Sequence, residues 1–326
     1  MRVTLRTERA IQAPAVSQGD APVAATNNAG PMVIDLTHTV PTYKASAENP
    51  TLPDMDQPWS DVPPFATYGG HAVLGFFEMG INLGHIESGR LVMSEHHGTH
   101  MNAPNHFVNN EVSQEATGVP MADRKQMHEV PADWLVGPVV VIDISDRVQA
   151  ELDKNGGAPS PDPAVTDFGN ESGNVVTPAD IDAVADQLVD GCWIILNLGW
   201  SRFFYAAAGM AGSDYINGFN HPGLSPAAVE RLLQIAREKG IRIGGTVVDN
   251  ISTETGQTAK GEDEQRTNSL TAHVRLLQHD ILMVENAANL DALSEAAKTR
   301  DCTLVVGAIK VARGTGAQAR VLALCT

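Results

Sequence analysis

Residues Ser94 to Phe107 read SEHHGTHMNAPNHF and hold four of the chain's eleven histidines. Imidazoles converging with a side-chain oxygen are the makings of a divalent-cation site, because each presents a lone pair that such an ion accepts. Backbone geometry decides whether they meet. In a helix, at about 100° per residue, His96 and His100 would share a face, but Asn102 and His106 would point elsewhere. Gly98, β-branched Thr99 and Pro104 disfavour a helix as well. In an extended segment with a period of two, His96, His100, Asn102 and His106 fall on one side and His97 on the other. The segment is therefore expected to be extended or looped, with those four polar groups converging. A polar surface loop is the plainer alternative.

The elements that must hold such a cluster are legible from periodicity. TPADIDAVADQLV opens with Thr177 as N-cap, Pro178 at the first helical position and Asp180 three residues after the cap, then runs into the β-rich CWIILNLGW. SPAAVERLLQIAREKG repeats the design with Ser225, Pro226 and a closing Gly240, and the strand IRIGGTVVD follows. SLTAHVRLLQHD precedes the apolar run ILMVE, and TLVVGAIKV and RVLALC close the chain as strands. With further strands at PMVIDL and GPVVVIDI, helix-then-strand alternation predicts one α/β domain whose sheet is partly parallel and covered by helices. The domain is expected to span residues 32–326. Residues 1–31 are expected to form a mobile tail, and 152–174 a long loop or insertion, both being rich in Ala, Pro, Asn and Gly without periodicity.

Composition narrows the partners. The chain has 326 residues, with 22 Lys and Arg against 39 Asp and Glu and a formal net charge of −17. Nucleic acid and anionic membranes would repel it, which leaves a small-molecule substrate. No apolar stretch approaches the roughly 20 residues that span a bilayer. The start, MRVTLRTERAIQAP, has no apolar core of a signal peptide, so a cytoplasmic location is expected. Cys192, Cys302 and Cys325 form no C-x-x-C pair and are read as buried thiols rather than a disulfide frame. GTGAQA (Gly314 to Ala319) echoes a dinucleotide fingerprint but lacks the helix that must follow it. Asp249 is read as a turn cap at a strand end. GWSRFFY (Gly199 to Tyr205) is either a pocket wall or a core patch.

HHGTHMNAPNHF resembles the H-x-G-T-H-x-D-x-P-x-H signature of the cyclase-like metal-dependent hydrolases, the family of bacterial kynurenine formamidase and isatin hydrolase. The resemblance continues through VIDLTHTV, LVGPVVVIDI, LNLGWS, HPGLSPAAVERLL, TAHVRLL, ILMVENAANLDAL and GTGAQARVLAL. It implies an α/β fold of the swivelling β/β/α type with a mixed sheet, assembled as a homodimer or homotetramer. It also implies that His96, His100, His273 and Glu285 are metal ligands, with Asn102 where the family has aspartate and His106 in the place of the family's catalytic histidine. Glu285 ends the apolar run ILMVE, where a buried carboxylate without a cation or donor would cost several kcal/mol, so metal ligation would resolve that cost.

Asn102 is the departure from the signature. A carboxylate bridges two cations, whereas a carboxamide oxygen is a weaker, terminal ligand. One Zn2+ or Mn2+ is therefore expected, not two. The reaction implied is hydrolysis of a C–N bond in an amide or lactam, or a C–O bond in a lactone, with His106 as general base. The alternative is a non-catalytic relative in which Asn102 has weakened the metal site, leaving a small-ligand binding or structural protein.

Overall fold

The computed structural model describes residues 30–38, 93–107, 124–204, 214–260 and 271–326, with the backbone of short strands between residues 42 and 92. The expected tail, apart from its last two residues, lies outside the described residues, as does Tyr205. No helix among the described residues is long and apolar enough to cross a membrane.

The strands are β1 (Met32–Asp35), β2 (Thr42–Lys44), β3 (Thr67–Tyr68), β4 (His71–Ala72), β5 (Gly75–Met79), β6 (Gly89–Val92), β7 (His100–Asn102), β8 (Val136–Asp143), β9 (Trp193–Asn197), β10 (Gly245–Val248), β11 (Leu282–Glu285), β12 (Cys302–Ala308) and β13 (Gly316–Cys325). Eight of them form one sheet in the order β1-β13-β12-β8-β9-β10-β11-β7. β7 also pairs with the start of β13, which closes seven strands into a ring flanked by β1. β8, β9, β10 and β11 run parallel, and the pairings of β12, β13, β1 and β7 are antiparallel. The expected mixed α/β sheet is present, and its closure is a feature the strand pattern did not announce.

Period-two alternation splits the apolar residues into two layers. Trp193, Ile195, Leu282, Val284 and Met101 point into the ring with Leu304, Val306 and Val321. Ile194, Leu196 and Met283 point outward, under the helices, with Ile181, Leu232 and Leu276. Strands covered on both faces need apolar residues at every position, which is why β9 reads as a continuous run.

The helices follow their end signals. The helix Pro178–Ala183 has its capping box, with Thr177 N–H donating to Asp180 Oδ2 at 2.8 Å. The helix Pro226–Lys239 starts where Ser225 Oγ accepts from Ala228 N–H and stops at left-handed Gly240. Helices Thr271–Leu277 and Leu290–Ala297 flank β11. The predicted loop begins after the helix Ser145–Asp153. It is organised by the Glu151 carboxylate, which accepts from Asp167 N–H and Asn174 Nδ2.

One expectation is corrected. Cys302 and Cys325 are joined by a disulfide, because the antiparallel register of β12 and β13 sets them directly opposite each other. Linear spacing could not show this, since 23 residues separate them. Cys192 remains a buried thiol.

Candidate metal centre

The histidine-rich segment is mostly turn. Only His100–Asn102 is strand, and residues 96–99 wind back through Gly98, whose φ of +59° suits glycine. Convergence thus comes from a turn feeding a strand, rather than from six alternating residues. β7 inserts between β11 and β13, with His100 opposite Glu285 and Asn102 opposite Met283. Met101 points into the ring, so His100 and Asn102 face the helical side, where Glu285 also points. The helix Thr271–Leu277 lies over that face and supplies His273. His96, His100, Asn102, His273 and Glu285 are all buried and in mutual contact.

Each imidazole has one nitrogen tied and one turned inward. His100 Nδ1 lies 2.9 Å from the Gly98 carbonyl, which can only accept, so its Nε2 carries the lone pair and lies 3.6 Å from Glu285 Oε2. His273 Nδ1 lies 2.8 Å from both Glu254 oxygens, and its Nε2 lies 3.5 Å from Glu285 Oε1. His96 Nε2 lies 2.8 Å from Thr315 Oγ1, and its Nδ1 lies 2.7 Å from Asn102 Oδ1. Outer acceptors of this kind are how proteins orient histidines toward a cation. Two donors bound about 2.1 Å from a tetrahedral ion sit roughly 3.4 Å apart, close to the separations found here. The donor set therefore suits a divalent cation. Among the described residues, no three His, Cys, Asp or Glu side chains are drawn in tightly enough to hold one as they stand. The Asn102 carboxamide lies between them, with Nδ2 donating to Glu285 Oε2 at 3.0 Å and standing 3.4 Å from His273 Nε2.

His106 is not part of this inner group. Its ring stacks on His96 with centroids 3.8 Å apart, lies 5.9 Å from His273, and is half-buried beside Phe107. That places its imidazole at the rim of the cluster. Of the aromatic stretch, Trp200 and Phe204 are core residues, with Trp200 Nε1 donating to the Tyr215 carbonyl and Phe204 stacked on His38. Asp249 caps the chain after β9, accepting from Leu198, Trp200 and Ser201 N–H groups.

Charge in the cluster is coupled. Burial alone would lower the pKa of His273, but the Glu254 and Glu285 carboxylates outweigh it and raise it to about 10. Burial alone would raise that of Glu285, but His273, His100 and the Thr253 N–H bring it down to about 2. His100 is lowered by burial, against the pull of Glu285. In metal-free protein the stability from Glu285 is present above pH 4.5 and is lost as pH falls toward 2; that from His273 is present below pH 6.5 and is lost as pH rises toward 10. Calorimetry after chelation is therefore expected to show Tm declining from about pH 6.5 to 9. A flat or rising Tm would refute this charge arrangement.

Sequence reasoning missed Glu254, Thr253, Thr315 and Asn286. Thr253 donates from its backbone and hydroxyl to Glu285 Oε1 at 2.7 and 3.1 Å. Asn286 donates to the Gly98 carbonyl at 2.9 Å, which holds the turn. Glu254 is fully buried in a polar run, and only its pairing with His273 reveals its task. Gly316 carries a further constraint, since a Cβ there would lie 2.5 Å from His96 Cε1. Gly316→Ala is expected to displace the His96 ring and weaken zinc binding at least about tenfold, the lower end of what disturbed ligand orientation costs. A competition titration reads this, and unchanged affinity would show that the ring has room to yield.

Comparison with known proteins agrees with this architecture. An isatin hydrolase from Roseibium aggregatum is 27% identical over 238 residues, covering 72% of this chain and 73% of that one. The crystal structure of an isatin hydrolase bound to the product analogue thioisatinate superposes with a TM-score of 0.59 at 24% identity, covering 90% and 92% of the two chains. A Bacillus stearothermophilus protein described as a "predicted metal-dependent hydrolase" superposes with a TM-score of 0.50 at 17% identity, covering 91% and 99%. These structural likenesses speak for the fold. Residues 34–255, more than half of the chain, match the family model described as "Putative cyclase", and the chain belongs to that cyclase family.

Proposed function

We propose that this chain is a metal-dependent hydrolase opening a C–N bond of an amide or lactam, or a C–O bond of a lactone, in a small cyclic or N-acylated substrate. One Zn2+ or Mn2+ would be held by His96, His100, Asn102, His273 and Glu285. The observation that carries this reading is that three buried imidazoles have one nitrogen tied outward and the other turned toward Asn102 and Glu285. The isatin hydrolase relative supports the lactam class.

A cation bound there would polarise the substrate carbonyl and make a water acidic. The chain's own residues do the remaining work. Glu254 and the Gly98 carbonyl fix the rings of His273 and His100. Thr253 fixes the Glu285 carboxylate. His106, stacked at the rim, accepts the proton of the attacking water and returns it to the leaving nitrogen or oxygen, a task typically contributing about 10²–10⁴-fold. Phe107, with its ring 4.5 Å from both His106 and His273, offers a flat apolar surface beside that point.

The test is hydrolysis of isatin, N-formylkynurenine and a dienelactone, each with chelated protein and after reloading with Zn2+ or Mn2+. Metal-dependent opening of at least one is expected, and no turnover with any combination would overturn the reading. A specific contact bears on the non-catalytic alternative: Asn102 Nδ2 donates to Glu285 Oε2 at 3.0 Å, so this amide competes with a cation for the carboxylate. Under that alternative chelated protein would take up no metal, which separates the two readings before any substrate is tried.

A further inference from the structure

The GTGAQA stretch supplies Thr315, which ties His96 Nε2, and all of its first three residues meet the cluster. The Thr315 carbonyl accepts from Ala103 N–H at 2.9 Å, directly after Asn102. The Thr315 N–H donates to Glu95 Oε2 at 3.2 Å. Its hydroxyl lies 2.5 Å from Glu95 Oε1 and 2.8 Å from His96 Nε2. A hydroxyl has one proton and a carboxylate only accepts. Thr315 therefore donates to Glu95, and its oxygen accepts from His96 Nε2–H. Nδ1 lies 2.7 Å from Asn102 Oδ1, a carbonyl oxygen that only accepts, so the lone pair a cation needs is freed on Nδ1 when the cation displaces the proton that Nδ1 shares with Asn102, while Nε2–H stays held by Thr315.

Glu95 cannot act alone, since its oxygen is 3.8 Å from His96 Nε2. The flanking glycines make the relay possible. A Cβ on Gly316 would strike the His96 ring, and one on Gly314 would lie 3.1 Å from Glu95 Oε2. Gln318 Nε2 donates to the Ser94 carbonyl, which holds the backbone just before Glu95. We infer that Glu95 is a positioning residue that acts through the Thr315 hydroxyl to hold His96 with Nδ1 turned to the cation position. The inference rests on the metal-dependent reading above. Remove the carboxylate, and the Thr315 proton is free to turn to His96 Nε2, which keeps the ring proton on Nδ1, where the cation would bind.

The experiment titrates Zn2+ against a competing chelator into metal-stripped parent, Glu95→Ala, Thr315→Val and Thr315→Ser, and records the visible spectrum of each Co2+-loaded form. Thr315→Val and Glu95→Ala are expected to bind Zn2+ about 10–100-fold more weakly, the usual cost of losing a partner that orients a ligand, and to show altered cobalt bands. Thr315→Ser should restore both. Parent-like affinity and cobalt spectrum in Glu95→Ala would overturn the inference, and because Glu95 is partly exposed that variant decides the matter even if Thr315→Val fails to fold. Parent protein that binds no metal would instead sink the reading on which the inference rests.

Discussion

Glu285→Gln is expected to lower zinc affinity by at least about 100-fold and to remove metal-dependent turnover. Glu285 is the anion that faces both inward Nε2 atoms, at 3.6 Å from His100 and 3.5 Å from His273. Its oxygens are also fixed from behind, by Thr253 and Asn102. Losing a mere orienting partner costs about 10–100-fold in affinity, so losing the anionic ligand itself should cost at least the upper figure. A glutamine keeps the shape and can still accept from Thr253. It replaces the other oxygen with an NH2 group aimed at the Asn102 NH2 and the His100 ring. The protein should therefore remain folded while its cation site is lost, which chelator competition and circular dichroism would show together. Affinity within threefold of the parent would mean that Glu285 is not a ligand.

Asn102→Asp should act in opposite directions on the two forms of the protein. The Asn102 Nδ2 group donates to Glu285 at 3.0 Å. An aspartate would set two buried carboxylates at that distance, and like charges that close destabilise the fold unless one takes up a proton. With a cation present the same carboxylate becomes a strong ligand able to bridge two ions. Thermal unfolding is expected to show a lower Tm than the parent after chelation and a larger rise on adding Zn2+. A rise equal to the parent's, at unchanged stoichiometry, would refute the view that Asn102 sets the charge balance of this site.

How far the sequence reached depends on which interactions are local. The helices at Pro178 and Pro226 were legible because Thr177, Asp180, Ser225 and Gly240 cap them within a few residues. The parallel strands were legible because burial on two faces leaves a continuous apolar run. The cluster itself was legible because its residue types are unusual and match a family signature at fixed spacing. Ring closure was not, since β7 has only three residues and is specified by pairing with β11 and β13, far along the chain. The disulfide was missed for the same reason, as strand register alone brings Cys302 to Cys325. Glu95, Thr253, Glu254 and Thr315 are ordinary residues by type, and each becomes informative only through the atom it touches.

The most direct measurement is anomalous diffraction at the zinc edge from crystals of Zn2+-loaded protein. One peak per chain is predicted, enclosed by His96 Nδ1, His100 Nε2, Asn102 Oδ1, His273 Nε2 and the Glu285 carboxylate. A peak elsewhere, or none at this cluster despite saturating zinc, would contradict the claim that the segments around residues 96–102 and 273–285 jointly grip a cation.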